Sequence, residues 1–370
     1  MVRRLAKQRL DWTLLIAAGG LLVMGLLILF AINFKDPALA QDFSPARQLG
    51  HAILGIGLLV LFARTDYRLW LRVGKYWYVL AGMLLLLVLA IGETAAGATR
   101  AIDLLFINFQ PGEFAKIGVI MALAILFTKR HEQLSGWRYL LASLFLVVIP
   151  MGLIMVQPDL GSSLVIGFIW LLMIMVSGVN RWRVAIILAI ILAMLPLGIN
   201  RLETYQRQRL QTFLNPAADP QGAGYNVLQS TIAVGSGRLF GRGLGSGTQS
   251  QLNFIPSQHT DFVFAVLAEK LGFVGGLLTL GLFGVLLVRA LLVGWRAEDR
   301  FGMLLAVGIA AMFLFHVVIN IGMNLGIAPV TGIPLPLVSY GGTNLIISLI
   351  AIGILQSVHL HRRALEFGSK

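Results

Sequence analysis

Apolar runs close to or above the length needed to cross a lipid bilayer recur along the whole of this chain. A helix rises 1.5 Å per residue, so about 18–20 apolar residues in a row span the hydrocarbon core. Ten stretches fit, at 13–32, 48–62, 77–92, 114–127, 139–156, 162–178, 184–199, 262–287, 303–327 and 344–359. The shorter ones must extend into flanking polar residues. With 58% hydrophobic and 12% charged residues, the chain lies far outside soluble-domain composition. The expected fold is all-α and integral to the membrane: a polytopic bundle of about ten transmembrane helices in one domain, 1–370. A large extracytoplasmic loop, about 200–260, separates helices 7 and 8. The first run is too long for a signal peptide and no small-residue cleavage site follows it. Cysteine is absent, which excludes disulfide and thiol chemistry.

The formal charge of +13 is a topology signal and not a nucleic-acid patch. About nineteen of the 29 basic residues fall in alternate short loops and the tails, for example Arg3, Arg4 and Lys7, then Arg64, Arg68, Arg72 and Lys75, then Arg289, Arg296 and Arg300. By the positive-inside rule these segments, and both termini, are cytoplasmic. The other side carries the informative polar sequence: 93–113, Gln157-Pro158-Asp159-Leu160-Gly161, 200–260 and 328–343. The long loop opens with Tyr205-Gln206-Arg207-Gln208-Arg209-Leu210, which reads as an amphipathic helix at the interface. Its glycine-rich run at 235–247 lacks the Lys-Ser/Thr and preceding strand of a phosphate loop, so it reads as a flexible or closely packed turn region. No internal or inverted repeat is found, which argues against common transporter architectures.

Ionisable side chains gather at one depth on the outer side. Glu113 and Lys116, three residues apart and so on one helix face, open the fourth span. Asp159 sits in the five-residue break between spans five and six, and Asp261 opens the eighth. A charge at a membrane-helix mouth is costly to dehydrate, which makes each a functional candidate. Each also has a structural reading: a local ion pair for Glu113 and Lys116, a turn residue for Asp159, a helix cap for Asp261. His316, Asn320 and Asn324 recur every four residues on span nine and form one stripe. Interhelical hydrogen bonding is the favoured role for that stripe. Glu269 and Lys270, about two turns below Asp261, are expected to find structural partners inside the bundle.

These residues sit in motifs that resemble the shape, elongation, division and sporulation (SEDS) family. The motifs are Arg100, then Phe109-Gln110-Pro111-Gly112-Glu113-Phe114-Ala115-Lys116, Gln157-Pro158-Asp159-Leu160-Gly161 and Gly222-Ala223-Gly224-Tyr225. His259-Thr260-Asp261-Phe262 and Pro334-Leu335-Pro336-Leu337-Val338-Ser339-Tyr340-Gly341-Gly342 complete the set. Tyr205 to Leu210 and Gly247-Thr248-Gln249-Ser250-Gln251-Leu252 look more like the elongation branch than the division branch. Gly112 and Ala101 stand where the family usually has serine and tryptophan.

The resemblance implies a ten-helix peptidoglycan glycosyltransferase that polymerises lipid II at the outer face of the bacterial cytoplasmic membrane. Its implied partner is a class B penicillin-binding protein, whose membrane helix would pack beside helices 8 and 9; Gly272, Gly275, Gly276 and Gly308 allow a close approach there, either by that helix or between the two spans themselves. Asp261 matches the family's essential aspartate and is the expected catalytic base. Glu113, Lys116, Asp159, Arg100 and Ser339 are the expected substrate-binding residues. Lipid II carries an α-linked sugar and the product linkage is β, so one inverting displacement suffices. Lys116, Arg100 or a divalent cation (Mg or Mn) held by Asp261, Asp159 or Glu113 would stabilise the departing pyrophosphate. No tightly bound cofactor is expected. The alternatives are a lipid II flippase, a division-specific polymerase, and a non-catalytic scaffold for the partner.

Overall fold

The computed structural model describes residues 10–33, 44–91, 93–95, 98–104, 107–129, 136–199, 209, 211–213, 215 and 222–361. Each of the ten apolar runs forms a helix. They are α1 (Trp12–Asn33), α2 (Pro45–Arg64), α3 (Leu69–Ile91), α4 (Pro111–Lys129), α5 (Trp137–Val156), α6 (Leu160–Val176) and α7 (Arg181–Ile199). After the long loop, with its α8 (Ala223–Ser236) and α9 (Thr248–Gln251), come α10 (Val263–Trp295), α11 (Arg300–Asn324) and α12 (Gly342–Leu360). Among the described residues eight helices are long and apolar enough to cross a membrane, and α6 is a shorter apolar helix of 17 residues. The chain is a polytopic helical membrane protein. Most of the expected amphipathic segment 205–210 lies outside the described residues.

The stretch 93–113 contributes something the apolar pattern does not announce. It forms a small antiparallel sheet ordered β1 (Glu93–Ala95), β2 (Ala98–Leu104), β3 (Ile107–Phe109). Thr94 pairs with Thr99 and Ile102 with Phe109. Strands this short carry too few alternations to register as a period. The sheet touches α4 and α12, over the end where Glu113 enters the bundle.

α2 packs along α12, α3 along α4, α1 and α11 along α10, and α6 along α11. Three helices are enclosed by the others: 72% of the α4 window, 72% of α11 and 89% of α12 are buried, against 22% for α3 and 28% for α5. The enclosed three carry Glu113, Lys116, His316, Asn320, Asn324 and Asn344, because a polar group facing lipid would have no partner. Both described chain ends meet at one end of the bundle. The Asp11 N–H donates to Gln356 Oε1 at 3.0 Å, and Gln356 Nε2 donates back to the Asp11 carbonyl. Arg289 closes on the buried Asp11 carboxylate at 2.6 Å.

α10 is interrupted at Gly272, whose φ of 68° lies in the left-handed region. The break frees carbonyls above it and amides below it, and the glycine-rich loop takes up both. The N–H groups of Arg242 and Gly243 donate to the carbonyls of Glu269 and Lys270, while those of Phe273 and Val274 donate to Arg238 and Leu239. A Cβ on Gly272 would stand 2.2 Å from the Gly241 amide nitrogen, so no other residue fits. The turn region at 235–247 is therefore closely packed around the break. Glu269 and Lys270 find partners in this loop: the carboxylate accepts from the amides of Gln249 and Ser250, and the ammonium donates to the Leu244 carbonyl.

The glycines expected to receive a partner helix face inward. Gly272, Gly275, Gly276 and Gly308 are all buried. A Cβ on Gly308 would meet Ile120 and Met173, and one on Gly276 would touch Phe264. Small residues let the chain's own segments approach here, which corrects the expectation that these glycines serve the partner.

Candidate active site

Glu113 lies in the first turn of α4, and Lys116 follows one turn on. Their contact is 2.7 Å, with the Lys116 side chain 0% and the Glu113 side chain 3% exposed. A pair removed from water in this way persists only if its remaining hydrogen-bonding positions are filled. Asn344 Nδ2 on α12 donates to Glu113 Oε2 at 3.0 Å. On the other side Lys116 Nζ meets His316 Nε2 of α11 at 3.0 Å. An ammonium only donates, so Nε2 accepts, and His316 Nδ1 carries the hydrogen that faces the Pro334 carbonyl at 3.1 Å. The imidazole is thereby fixed as the neutral Nδ1–H tautomer.

From Pro334 the network continues to Asp261. Asn320 Nδ2 donates both to the Ile333 carbonyl at 2.7 Å and to the Asp261 carbonyl at 2.9 Å. Asn324 Nδ2 donates to the same Asp261 carbonyl at 3.0 Å, and its Oδ1 accepts the Ala265 amide. The His316, Asn320 and Asn324 stripe thus joins α11 to α4, to the entry of α10 and to the 331–341 segment. It forms the hydrogen-bonded glue that its spacing suggested. The N-cap position of α10 is Phe262, so Asp261 does not occupy the cap. Its carboxylate is half-buried, and a Cβ on Gly332 would stand 3.5 Å from Oδ2.

Asp159 joins the network from the opposite end. It is the N-cap of α6, with Oδ1 accepting from the Ser162 amide at 3.0 Å. Oδ2 accepts from Gln110 Nε2 at 3.3 Å, and the Gln110 amide donates to Thr343 Oγ1. Thr343 adjoins Asn344 and so leads to Glu113. Gly161, in the same motif, lets the start of α6 lie against the 331–333 strand of loop: a Cβ there would sit 2.8 Å from the Thr331 carbonyl.

The buried Ser339 hydroxyl donates to the Thr260 carbonyl at 2.6 Å and accepts from the Leu335 amide at 2.8 Å. With the Tyr340 amide on the His259 carbonyl, it clips 331–341 to the residues before Asp261. The structure therefore joins Glu113, Lys116, Asp159, Ser339 and the Asp261 backbone in one layer. The Arg100 side chain lies outside what is described.

Residues absent from the sequence reading also belong here. Gln48 on α2 donates to the Ser339 carbonyl and accepts from the Gly341 amide. One turn on, the buried His51 ring packs on Gly342, where a Cβ would come within 2.9 Å. Their i, i+3 spacing was the available signal, but a polar residue opening an apolar run passes as a helix end. Asn344 was hidden in the same way.

Among the described residues no three His, Cys, Asp or Glu side chains converge. Both oxygens of Glu113 and both of Asp159 are already engaged. The layer thus holds a half-buried carboxylate, Asp261, and a buried ammonium, Lys116, groups suited to proton removal and to stabilising developing negative charge.

Comparison with known proteins identifies the family of the chain. A family profile described as cell cycle protein, covering FtsW, RodA and SpoVE, matches residues 11–364. The chain is 39% identical over 361 residues to peptidoglycan glycosyltransferase MrdB of Escherichia coli K12, covering 97% of this chain and 96% of the relative. It superposes on the Thermus thermophilus rod shape determining protein RodA with a TM-score of 0.71 at 31% identity, covering 98% and 100% of the two chains. A chain from a structure on the coordination of polymerization and crosslinking by a peptidoglycan synthase complex gives a TM-score of 0.78 at 35% identity, covering 95% and 97%.

Proposed function

Because the chain belongs to the FtsW, RodA and SpoVE family of cell cycle proteins, we propose that its polar layer is the active site of a peptidoglycan glycosyltransferase that polymerises lipid II. The observation that carries the reading is the contrast at Asp261. Its backbone is held by Asn320 and Asn324, while its carboxylate is the half-buried acid of the layer. Glu113 and Asp159 are buried and fully engaged. A base must be placed rigidly and still reach substrate, and Asp261 meets both demands.

In the proposed step the acceptor 4-hydroxyl oxygen attacks C1 of the donor sugar, and Asp261 takes the hydroxyl proton. The bond from C1 to the pyrophosphate oxygen breaks with inversion, and its electron pair leaves on the polyprenyl pyrophosphate. Lys116, held between Glu113 and His316, supplies positive potential toward that departing charge. The active layer lies on the extracytoplasmic side and both termini are cytoplasmic. The basic loops at the opposite end and the meeting of Asp11 with Gln356 support that orientation. A class B penicillin-binding protein is the partner, its membrane helix lying on outward-facing side chains of α10 such as Leu280 and Val288 and of α11 such as Val318.

The test is glycan synthesis by purified protein from lipid II in detergent, where transport has no meaning. Asp261→Asn keeps size and polarity and removes the base. It should lower polymerisation by at least about 10²-fold with the helical fold intact. Polymerisation near the wild-type rate would refute the base assignment.

A further inference from the structure

The loop that stitches α10 together also builds a groove that the polymerase reading leaves unused. It has a volume of about 950 Å³ and is lined by Arg238, Arg242, Thr248 and the glycine-rich backbone between them. Both arginines are exposed, and among the described residues neither takes part in an ion pair. Arg242 is anchored through Nε, which donates to the Ser236 carbonyl at 3.1 Å, so the other end of its guanidinium stays available. Arg238 has φ 49°. In a loop rich in glycine, a left-handed position is the one where glycine would cost least, yet it holds an arginine.

The depth of this groove says what it would meet. α10 has 33 residues, about 50 Å of helix, whereas the hydrocarbon core is about 30 Å thick. Counting about 20 residues up from Trp295, which is 87% exposed beside Arg296, places the outer boundary near residue 275. Packing agrees: every residue from 263 to 270 is buried inside the protein, and the outward apolar stripe starts at Phe273, 63% exposed. The Phe273 amide is the one that donates to the Arg238 carbonyl. The turn that carries the two arginines is therefore bonded through its backbone to the first residue whose side chain faces acyl chains. Phe240, 81% exposed, projects from the same turn.

We propose that this groove binds the phosphate of an anionic membrane lipid in the outer leaflet, with Arg238 and Arg242 on the phosphate and the acyl chains starting at Phe273, above the part of α10 assigned to the partner helix. Guanidinium groups match phosphate oxygens bidentately and shed their hydration readily. A lipid held here would brace the loop that closes the break at Gly272. The proposal needs only the membrane placement of α10, so it stands or falls separately from the assignment of Asp261.

Native mass spectrometry of the purified chain with short-chain phosphatidylglycerol tests it, with phosphatidylethanolamine, a polyprenyl monophosphate and inorganic phosphate as comparison probes. Phosphatidylglycerol should bind the wild type, more weakly as salt rises from about 0.05 to 0.5 M. It should bind Arg238→Ala/Arg242→Ala at least tenfold more weakly. Arg238→Lys/Arg242→Lys keeps the charge but loses the bidentate fork, so it should bind more weakly than wild type and more tightly than the alanine pair, which separates lost charge from lost folding. Tighter binding of the polyprenyl phosphate, abolished by the same alanine pair, would support the phosphate site and assign it to the isoprenoid carrier. Equal affinity for phosphatidylethanolamine, salt-independent binding, or displacement by inorganic phosphate at matched concentration would overturn a lipid-phosphate site. Unchanged lipid binding by the alanine pair, with loss only of a co-purifying protein, would give the groove to a protein partner.

Discussion

Two pairs of glutamate and lysine sit in apolar helices of this chain, Glu113 with Lys116 on α4 and Glu269 with Lys270 on α10, and they are satisfied by different means. The first pair is three residues apart and closes on itself at 2.7 Å, with Asn344 and His316 filling its remaining positions. Its partners are side chains from two other enclosed helices. The second pair is adjacent in sequence, so its members point about 100° apart around the helix, and each engages backbone of the 244–250 loop. Burying a charge against side chains leaves an electrostatic centre that a substrate can use. Spending it on loop amides and carbonyls fixes a fold. Residue type and membrane depth alone do not distinguish the two outcomes.

The comparison can be broken most sharply at Lys116. Lys116→Met preserves the packing of the apolar stem and should reduce polymerisation by about 10²–10³-fold while circular dichroism shows an intact bundle. Recovery of the rate in Glu113→Gln/Lys116→Met would mean that the ammonium only neutralises Glu113, and the α4 pair would then be as structural as the α10 pair.

Gly272→Ala probes the other region. The left-handed φ and the 2.2 Å approach to Gly241 leave no room for a methyl group, so stability should fall by about 2–4 kcal/mol. Thermal unfolding in detergent would read this. A neutral result would detach the loop from the break.

A smaller effect is expected at Glu269. Glu269→Gln exchanges a charge-assisted acceptor for a neutral one, a loss of about 1–2 kcal/mol. Combined with Lys270→Met the losses should add to within about 0.5 kcal/mol, because the two side chains serve separate backbone groups. A strong coupling energy would show that they work as an ion pair after all.

The smallest effect separates the regions by pH. Burial lowers the His259 pKa from 6.5 to about 4, so the folded ring stays neutral while the unfolded chain takes up a proton below 6.5. Its stability contribution is whole above that pH and declines as pH falls from 6.5 toward 4. By about pH 5.5 the clip between 259 and 340 should be weaker by about 1 kcal/mol. A lower protection factor at the Tyr340 amide, which donates to the His259 carbonyl, would report it once the slower intrinsic exchange at low pH is divided out. A clip equally protected at both pH values would argue against a neutral buried ring.

Much of the active layer was legible because membranes penalise polar groups by depth. Glu113, Lys116, Asp159 and Asp261 stand out against apolar neighbours, and the spacing of His316, Asn320 and Asn324 already placed them on one face. Gln48, His51 and Asn344 escaped because each lies where a helix end is expected to be polar. The partner glycines misled for a related reason. Small residues mark close approach, and here the approaching segments are the chain's own loop and helices α4 and α6.

The sequence by itself determined the ten apolar helices and the level at which the charges cluster. A bilayer constrains a chain mainly along one axis, and hydropathy and basic residues are read along that axis. Tertiary structure alone decided which helices are enclosed, which partner each charge finds and how the 238–243 turn closes the break in α10. Lipid tails are as apolar as leucine. A helix here can be apolar all round, so its pattern does not say which face meets protein and which meets lipid.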